Sequence, residues 1–201
     1  MKIGAVIMAS GASKRMGQNK LLLEYSGMSF IENIINKVLN SGFYEINLVT
    51  SYDEIVDICI DILRADELRY EKCNDFMITR NNNPSEGISK SIRLGVKNLK
   101  NCDAYMFFTS DQPKLSIQTI KKIMNEAVKN QIVIPKYNNE NGSPAVFGAD
   151  FRKELLNIDG DLGGRQLIQN NIDKVKYLDI KNGEEGMDID TQEEYRKLIE
   201  C

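Results

Sequence analysis

Strand-length apolar runs alternate with amphipathic helical stretches along most of this chain, and that alternation leaves few folds open to it. Lys2–Met8 (KIGAVIM) is apolar without interruption, as a parallel strand covered on both faces requires. Ser29–Asn40 follows as a helix, with Phe30, Ile31, Ile34, Ile35, Val38 and Leu39 on one side and Ser29 with Glu32 as a capping box. The pattern then predicts a strand at Glu45–Thr50, a helix over Asp53–Leu63, a strand at Asp75–Thr79, a loop at Asn81–Pro84 and a helix over Gly87–Leu99. Ala104–Thr109 (AYMFFT) is the most strand-like segment. A helix over Ser116–Lys129, a strand at Ile132–Pro135, a turn-rich excursion at Tyr137–Ser143 and extended chain at Pro144–Phe147 come next. Helices near Phe151–Asn157 and Leu162–Gln169, a strand at Val175–Ile180 and a last helix opened by Thr191 and Glu194 complete the pattern. The expected fold is α/β: a single three-layer domain over residues 1–201 around a mostly parallel sheet.

Composition excludes several classes of function. The 201 residues are 42% hydrophobic, enough for one sizeable core. The 26 basic and 29 acidic residues give a net charge of -3, which argues against general nucleic-acid binding. No apolar stretch approaches the ~20 residues of a membrane span. The first residues lack a signal-peptide pattern, so a cytoplasmic location is expected. Cys59, Cys73, Cys102 and Cys201 form no CxxC pair, and free thiols in a reducing compartment are expected. The chain has no histidine, which removes His-based triads, His general bases and the usual zinc sites. Its chemistry falls to carboxylates, lysine, arginine, hydroxyls, backbone groups or a metal.

In a parallel sheet, ligands bind beyond the carboxyl ends of the strands. Three motif loops stand at such ends: Ala9–Lys20, Ser110–Pro113 and Asp188–Asp190. The first joins small residues to Lys14, Arg15 and Lys20, a composition that suits a polyphosphate, yet it matches neither GxxxxGK[ST] nor GxGxxG. Asp111, held before Pro113, suits a magnesium ion, which takes one or two carboxylates and fills its shell with water and phosphate oxygens. Asp188 and Asp190, two apart in extended chain, face the same way, and one of them with Asp111 makes a two-carboxylate site. Ser85–Ser91 opens a helix whose N-terminus favours an anion or a base edge. Gly160–Arg165 places adjacent glycines at a helix start, which points to backbone access there.

In this order the motifs resemble those of the MobA-like nucleotidyltransferases, and within them the molybdenum cofactor cytidylyltransferases. The family's LAAGxSxRMGxxK reads MASGASKRMGQNK from Met8 to Lys20. Its GxSLxxG stretch reads GISKSIRLG from Gly87 to Gly95, with one extra residue before the second serine. DQP stands at Asp111–Pro113, GxPxxF reads GSPAVF from Gly142 to Phe147, GDxGAR reads GDLGGR from Gly160 to Arg165, and DIDTPEDY reads DIDTQEEY from Asp188 to Tyr195. Three positions depart from the pattern. Ser10 stands for alanine, where guanylyl-transferring relatives carry glycine; Gly164 stands for alanine; Ser143 stands for histidine or asparagine.

The resemblance implies a Rossmann-like domain of the nucleotide-diphospho-sugar transferase type that uses CTP and Mg²⁺. The implied acceptor is molybdopterin, and the implied products are its cytosine dinucleotide and pyrophosphate. It assigns Arg15, Lys20 and Asp111 to catalysis, and Asp111 with Asp190 to the metal. It assigns Ala9, Ser10, Gly11, Ala12, Ser13, Lys20, Ser85, Gly87 and Ser89 to the nucleotide. Gly142, Ser143, Pro144, Asp161, Gly163 and Arg165 fall to the acceptor. The implied protein partner is a molybdenum hydroxylase or its accessory protein, with no nucleic acid and no membrane. Two alternatives stand beside it: a guanylyltransferase or a transferase for another phosphorylated acceptor, and a non-catalytic protein that delivers cofactor to a molybdenum hydroxylase.

Overall fold

The computed structural model describes residues 1–11, 14–65, 75–160 and 163–200. Its strands are β1 (Ile3–Ala9), β2 (Glu24–Tyr25), β3 (Met28–Ser29), β4 (Glu45–Thr50), β5 (Asp75–Arg80), β6 (Ala104–Thr109), β7 (Ile132–Tyr137), β8 (Glu140–Asn141), β9 (Ala145–Gly148) and β10 (Val175–Ile180). Its helices are α1 (Phe30–Leu39), α2 (Asp53–Ala65), α3 (Ile88–Asn98), α4 (Ile117–Asn125), α5 (Arg152–Asn157), α6 (Gly164–Asn170) and α7 (Gln192–Glu200).

The main sheet runs β10–β7–β9–β6–β1–β4–β5, with β8 paired to β7. Every neighbouring pair along this path is parallel except those made by β9, which runs against both β6 and β7. Alternation along β1 explains its two faces. Ile3, Ala5, Ile7 and Ala9 join one core with α1, α2 and α4, whereas Val6 joins a second core with α3, α5 and α6. A third, small cluster of Phe30, Ile189 and Leu198 seats α7 against the start of α1. Among the described residues no helix is long and apolar enough to cross a membrane. Cys59 and Cys102 are buried free thiols, both pushed up to about 12 by burial, with the Glu45 carboxylate adding to the rise at Cys102. Cys73 and Cys201 lie outside the described residues.

Register places the loops that matter. Ala9 pairs with Thr50 and Met8 with Thr109, so β1, β4 and β6 release their chains at one edge of the sheet. That edge is held by side chains bonding across it. Ser10 Oγ donates to Val49 O (3.2 Å), Thr50 Oγ1 to Ala9 O (3.0 Å) and Ser110 Oγ to Met8 O (3.0 Å).

Several boundaries differ from the sequence pattern for local reasons. The helix expected to reach Lys129 ends at Asn125, where Glu126 caps it and its backbone N–H bonds back to Ile123 and Met124. The strand expected to stop at Pro135 continues to Tyr137, and the expected turn excursion is a hairpin. Asn138 and Asn139 (φ 50° and 69°) form its two-residue turn, because asparagine tolerates the left-handed region such turns need. The β2–β3 hairpin turns on Ser26 and Gly27 (φ 55° and 80°) and is too short to carry a strand period.

Gly95 sets how closely α3 approaches β1, since a Cβ there would overlap the Val6 methyls. An exposed helix glycine gains up to ~1 kcal/mol on becoming alanine. Gly95→Ala is expected to do the opposite and destabilise by about 1–3 kcal/mol through overpacking, read by chemical denaturation. A stabilised variant would show that α3 has room to shift.

Candidate active site

Three segments far apart in sequence meet beyond the shared edge of β1 and β6. Lys20 Nζ lies 2.5 Å from Asp111 Oδ2 and 2.7 Å from Asp190 Oδ1. Arg15 NH2 holds the other oxygen of Asp190, Oδ2, at 2.7 Å. The Lys20 and Asp111 side chains are 13% and 15% exposed, so this contact is largely shielded from water.

Local chemistry fixes each partner. Asn19 caps the short turn Lys20–Leu22, its side chain accepting from Leu21 N (3.2 Å). Ile189 N donates to Asp111 O (3.0 Å), tying the late acidic segment to the Ser110–Pro113 turn. Glu194 Oε2 accepts from both Asp190 N and Thr191 N (2.8 Å each), while Thr191 Oγ1 accepts from Glu194 N (3.2 Å). The capping box of α7 thus also fixes the backbone beneath Asp190. Gln192 Nε2 reaches Met16 O (3.1 Å) and joins α7 to the opening loop.

The charges shift one another. Burial alone would lower Lys20, but the carboxylates of Asp111 and Asp190 raise it above the ordinary lysine value. Burial alone would raise Asp190, but Lys20 and Arg15 bring it below the ordinary aspartate value. Asp188 moves the other way. The residue is exposed as a whole, yet its carboxyl turns in among its neighbours, and lost hydration first, then the Asp111 charge, lifts it to about 6. Gln112 Nε2 donates to its Oδ1 at 2.8 Å.

A pKa raised on folding means that the folded state binds the proton more readily than the unfolded state. The ionised carboxyl therefore costs stability in full above pH 6, and the cost is relieved as pH falls from about 6 to 4. Asp188→Asn is expected to stabilise the metal-free protein at pH 7 and to lose that advantage at pH 4. Melting temperatures in EDTA at the two values check this, and equal melting at pH 7 would refute it.

Lys20 and Asp111 also form part of the wall of a cavity of about 280 Å³, together with Ser10, Gly11, Gly87, Ile88, Ser91 and Thr109. Gly11 is pinned through its carbonyl, which accepts from Tyr52 OH (2.9 Å). Gly87 (φ 79°) turns the chain from the Pro84–Glu86 turn into α3. Ser85 is exposed on that turn and is not part of the cavity wall. Ser89 is fully buried, and the serine at the wall is Ser91, two residues on. Residues i and i+2 point to opposite sides of a helix, so the two serines cannot serve one ligand. Ser91 Oγ accepts from Asn81 Nδ2 (3.3 Å), and Asn81, 1% exposed, is oriented by accepting from Asn83 N (3.1 Å). A buried amide after a strand end was the available signal for this pair. Ala9 is buried at the end of β1, and Ala12, Ser13 and Asp161 lie outside the described residues.

Gly142 belongs to a second cavity, which Gln112 and Asp188 also line. Ser143 is held from both ends: its carbonyl accepts from Tyr137 OH (2.9 Å) and its hydroxyl reaches Phe107 O (3.4 Å), ahead of a cis peptide to Pro144. Gly163 and Arg165 line neither cavity. A Cβ on Gly163 would lie 2.6 Å from Ile88 Cγ2, and Gly164 is close to the Phe147 ring, so this motif packs against α3 and β9 while Arg165 points to solvent.

The donor set suits a hard divalent cation. Asp111 Oδ2 and Asp190 Oδ1 converge on one position, held by the Lys20 ammonium, and Asp111 Oδ1 is buried with no hydrogen-bond partner among the described residues. Among the described residues no cluster of three or more metal-type ligands exists. A cation at this position would take its remaining oxygens from water or a bound polyphosphate.

Comparison with known proteins gives the fold and the family. Nicotine blue oxidoreductase of Paenarthrobacter nicotinovorans is 25% identical over 206 residues, covering 98% of this chain and 96% of the relative. Molybdenum cofactor cytidylyltransferase of Escherichia coli is 27% identical over 197 residues, covering 96% and 93%. The crystal structure of Rv0371c from Mycobacterium tuberculosis superposes with a TM-score of 0.78 at 22% identity, over 100% of this chain and 98% of that one. A manganese complex of Rv0371c gives 0.73 at 21% identity, over 100% of each. The fold is that of the nucleotide-diphospho-sugar transferases. The MobA-like NTP transferase domain matches residues 5–175, most of the sequence and every strand of the shared edge, and the chain belongs to that family.

Proposed function

We propose that this protein transfers CMP from CTP to the terminal phosphate of molybdopterin, releasing pyrophosphate and forming molybdopterin cytosine dinucleotide, with Mg²⁺ as cofactor. One observation carries the proposal: Lys20, Arg15, Asp111 and Asp190 are in direct ionic contact beside a cavity built by the glycine-containing loop and the start of α3. In this reading Lys20 and Arg15 exchange their carboxylate partners for triphosphate oxygens, and Ser10 and Gly11 border the same phosphates. Gly87 and Ser91 border the base. Bound Mg²⁺, held by Asp111 and Asp190, supplies neutralisation of the triphosphate charge.

The nucleophile in such a transfer is a phosphate oxygen, already anionic near neutral pH. No general base is needed, which suits a chain without histidine. What remains is to position two anions in line and offset their repulsion, and that is work for lysine, arginine and a cation. The acceptor falls to the Gly142–Pro144 side, next to Gln112 and Asp188. The name of the Escherichia coli relative supports the same choice of nucleotide and acceptor.

The deciding experiment offers CTP, GTP, ATP and UTP in turn, with molybdopterin as acceptor and pyrophosphate release as the readout. CTP is expected to lead. Turnover with GTP alone would replace the cytidylyl assignment with a guanylyl one, and no turnover with any of the four would remove the transfer reading.

A further inference from the structure

Lys37 stands in the last turn of α1 and lines neither of the two cavities, yet it reaches the turn that carries Asp111. Its Nζ donates to Pro113 O at 2.7 Å. A lysine near a helix C-terminus commonly keeps its charge in water, where the helix dipole already favours it. This one turns inward instead. Burial lowers it to about 8, and the Glu185 carboxylate works against that fall, so it remains mainly an ammonium at neutral pH.

Glu185 is itself 8% exposed, and its Oε2 accepts from Ser116 N (2.9 Å) just before α4. The two opposite charges thus hold the chain on both sides of Lys114, one at the carbonyl of Pro113 and one at the amide of Ser116. Proline has no backbone N–H, so its carbonyl is the one backbone group through which residue 113 can be held by hydrogen bonding. The rest of the turn is tied to other elements: Ser110 Oγ to Met8 O (3.0 Å), Ile189 N to Asp111 O (3.0 Å) and Gln112 Nε2 to Asp188 Oδ1 (2.8 Å). The tie from α1 is Lys37.

We propose that Lys37 is a positioning residue for the cation site: by holding Pro113 O against α1 it fixes the Ser110–Pro113 turn, and with it the direction in which Asp111 meets Asp190. The contact stands on geometry alone; the part of Asp111 as a metal ligand rests on the transfer reading given above. Without the ammonium, the buried Pro113 carbonyl loses its partner and the turn relaxes toward an arrangement that satisfies it. A displacement of ~1 Å in a ligating group costs as much as ~10²-fold in rate.

The probe is Mn²⁺ alone, titrated into the full chain. Lys37→Met removes the donor at similar volume and should weaken Mn²⁺ binding about tenfold. Lys37→Arg keeps the charge and a donor and should recover most of that loss. In turnover at saturating metal, kcat should fall in Lys37→Met with KM for CTP nearly unchanged, because Lys37 is not part of the first cavity's wall. Amide exchange at Ile189, whose N–H bonds to Asp111 O, should quicken in the same variant. Thermal unfolding reports whether each variant is folded. Lys37→Gln, polar and one atom short of Pro113 O, carries the test if Lys37→Met is not. Unchanged Mn²⁺ affinity in a folded variant, a loss that Lys37→Arg does not recover, or no Mn²⁺ binding by the parent overturns the proposal. A lowered melting temperature with Mn²⁺ affinity intact would make Lys37 a residue of the fold alone. Mn²⁺ affinity that follows these variants in a protein that turns over no nucleotide would keep the positioning role and remove the transfer reading. CTP turnover undiminished in folded Lys37→Met would do the reverse.

Discussion

Asp111→Asn is expected to abolish metal-dependent pyrophosphate release, lowering kcat/KM by about 10³-fold or more while the protein stays folded. The effect is large because this one carboxylate does two things. Its Oδ2 and Asp190 Oδ1 meet at the Lys20 ammonium, the position where the proposed cation would be centred. Its Oδ1 is buried and has no hydrogen-bond partner among the described residues, which leaves an oxygen able to serve as a ligand. An amide of the same shape keeps one neutral oxygen and loses the charge, and neutralising charge in the transition state supplies several kcal/mol in metal-assisted transfer. The fold should survive because Lys20 retains Asp190 and the backbone carbonyl of residue 111 still accepts from Ile189 N. Two measurements check the prediction: Mn²⁺ affinity in the presence of CTP, expected to fall with the rate, and the melting temperature, expected to move little. Turnover equal to the parent would remove Asp111 from the metal.

The sheet was legible in the sequence because parallel strands covered on both faces must be apolar throughout, and KIGAVIM and AYMFFT are. The helices were legible from their 3.6-residue period, and α1 announced its start through Ser29 and Glu32. Three features escaped. The reversal of β9 leaves no trace in its own residues, since an antiparallel strand buried between β6 and β7 is as apolar as a parallel one. The β7–β8 hairpin was hidden by asparagines that read equally well as a loop. The end of α4 depended on a backbone cap that no residue type specifies.

At the site, residues on strand ends were easier to find than residues on helix faces. Asp111 was readable because it stands just past the end of a buried strand, where ligands of parallel sheets bind, and Asp190 because it belongs to a short extended segment with two carboxylates. Ser89 and Ser91 differ by two positions and point to opposite sides of α3, so a motif with one extra residue could not say which of them reaches the cavity. The Gln112–Asp188 bond joins positions 76 apart, and only the fold brings them together. The glycines of the Gly160–Arg165 motif suggested backbone access for a ligand. Gly163 and Gly164 allow close packing against Ile88 and Phe147, a contact the sequence did not announce.

Lys20→Ala should move two affinities in opposite directions. The ammonium lies between two carboxylate oxygens, at 2.5 and 2.7 Å, where a divalent cation would itself be centred. Removing it leaves Asp111 and Asp190 facing each other with Arg15 as the one remaining cation on them among the described side chains, so Mn²⁺ without nucleotide should bind more tightly, by about tenfold. A triphosphate meets the opposite situation, since it loses one of two cations. CTP affinity should fall about 10²-fold, the worth of a shielded, charge-assisted contact. Arg15 does not compensate, because its side chain is 68% exposed and water screens the contacts it makes. Manganese titration with and without CTP reads both effects on one sample. A general loss of structure would weaken both ligands together, and a purely structural Lys20 would leave both unchanged. Only a lysine that occupies the cation's place and then serves the triphosphate strengthens one and weakens the other.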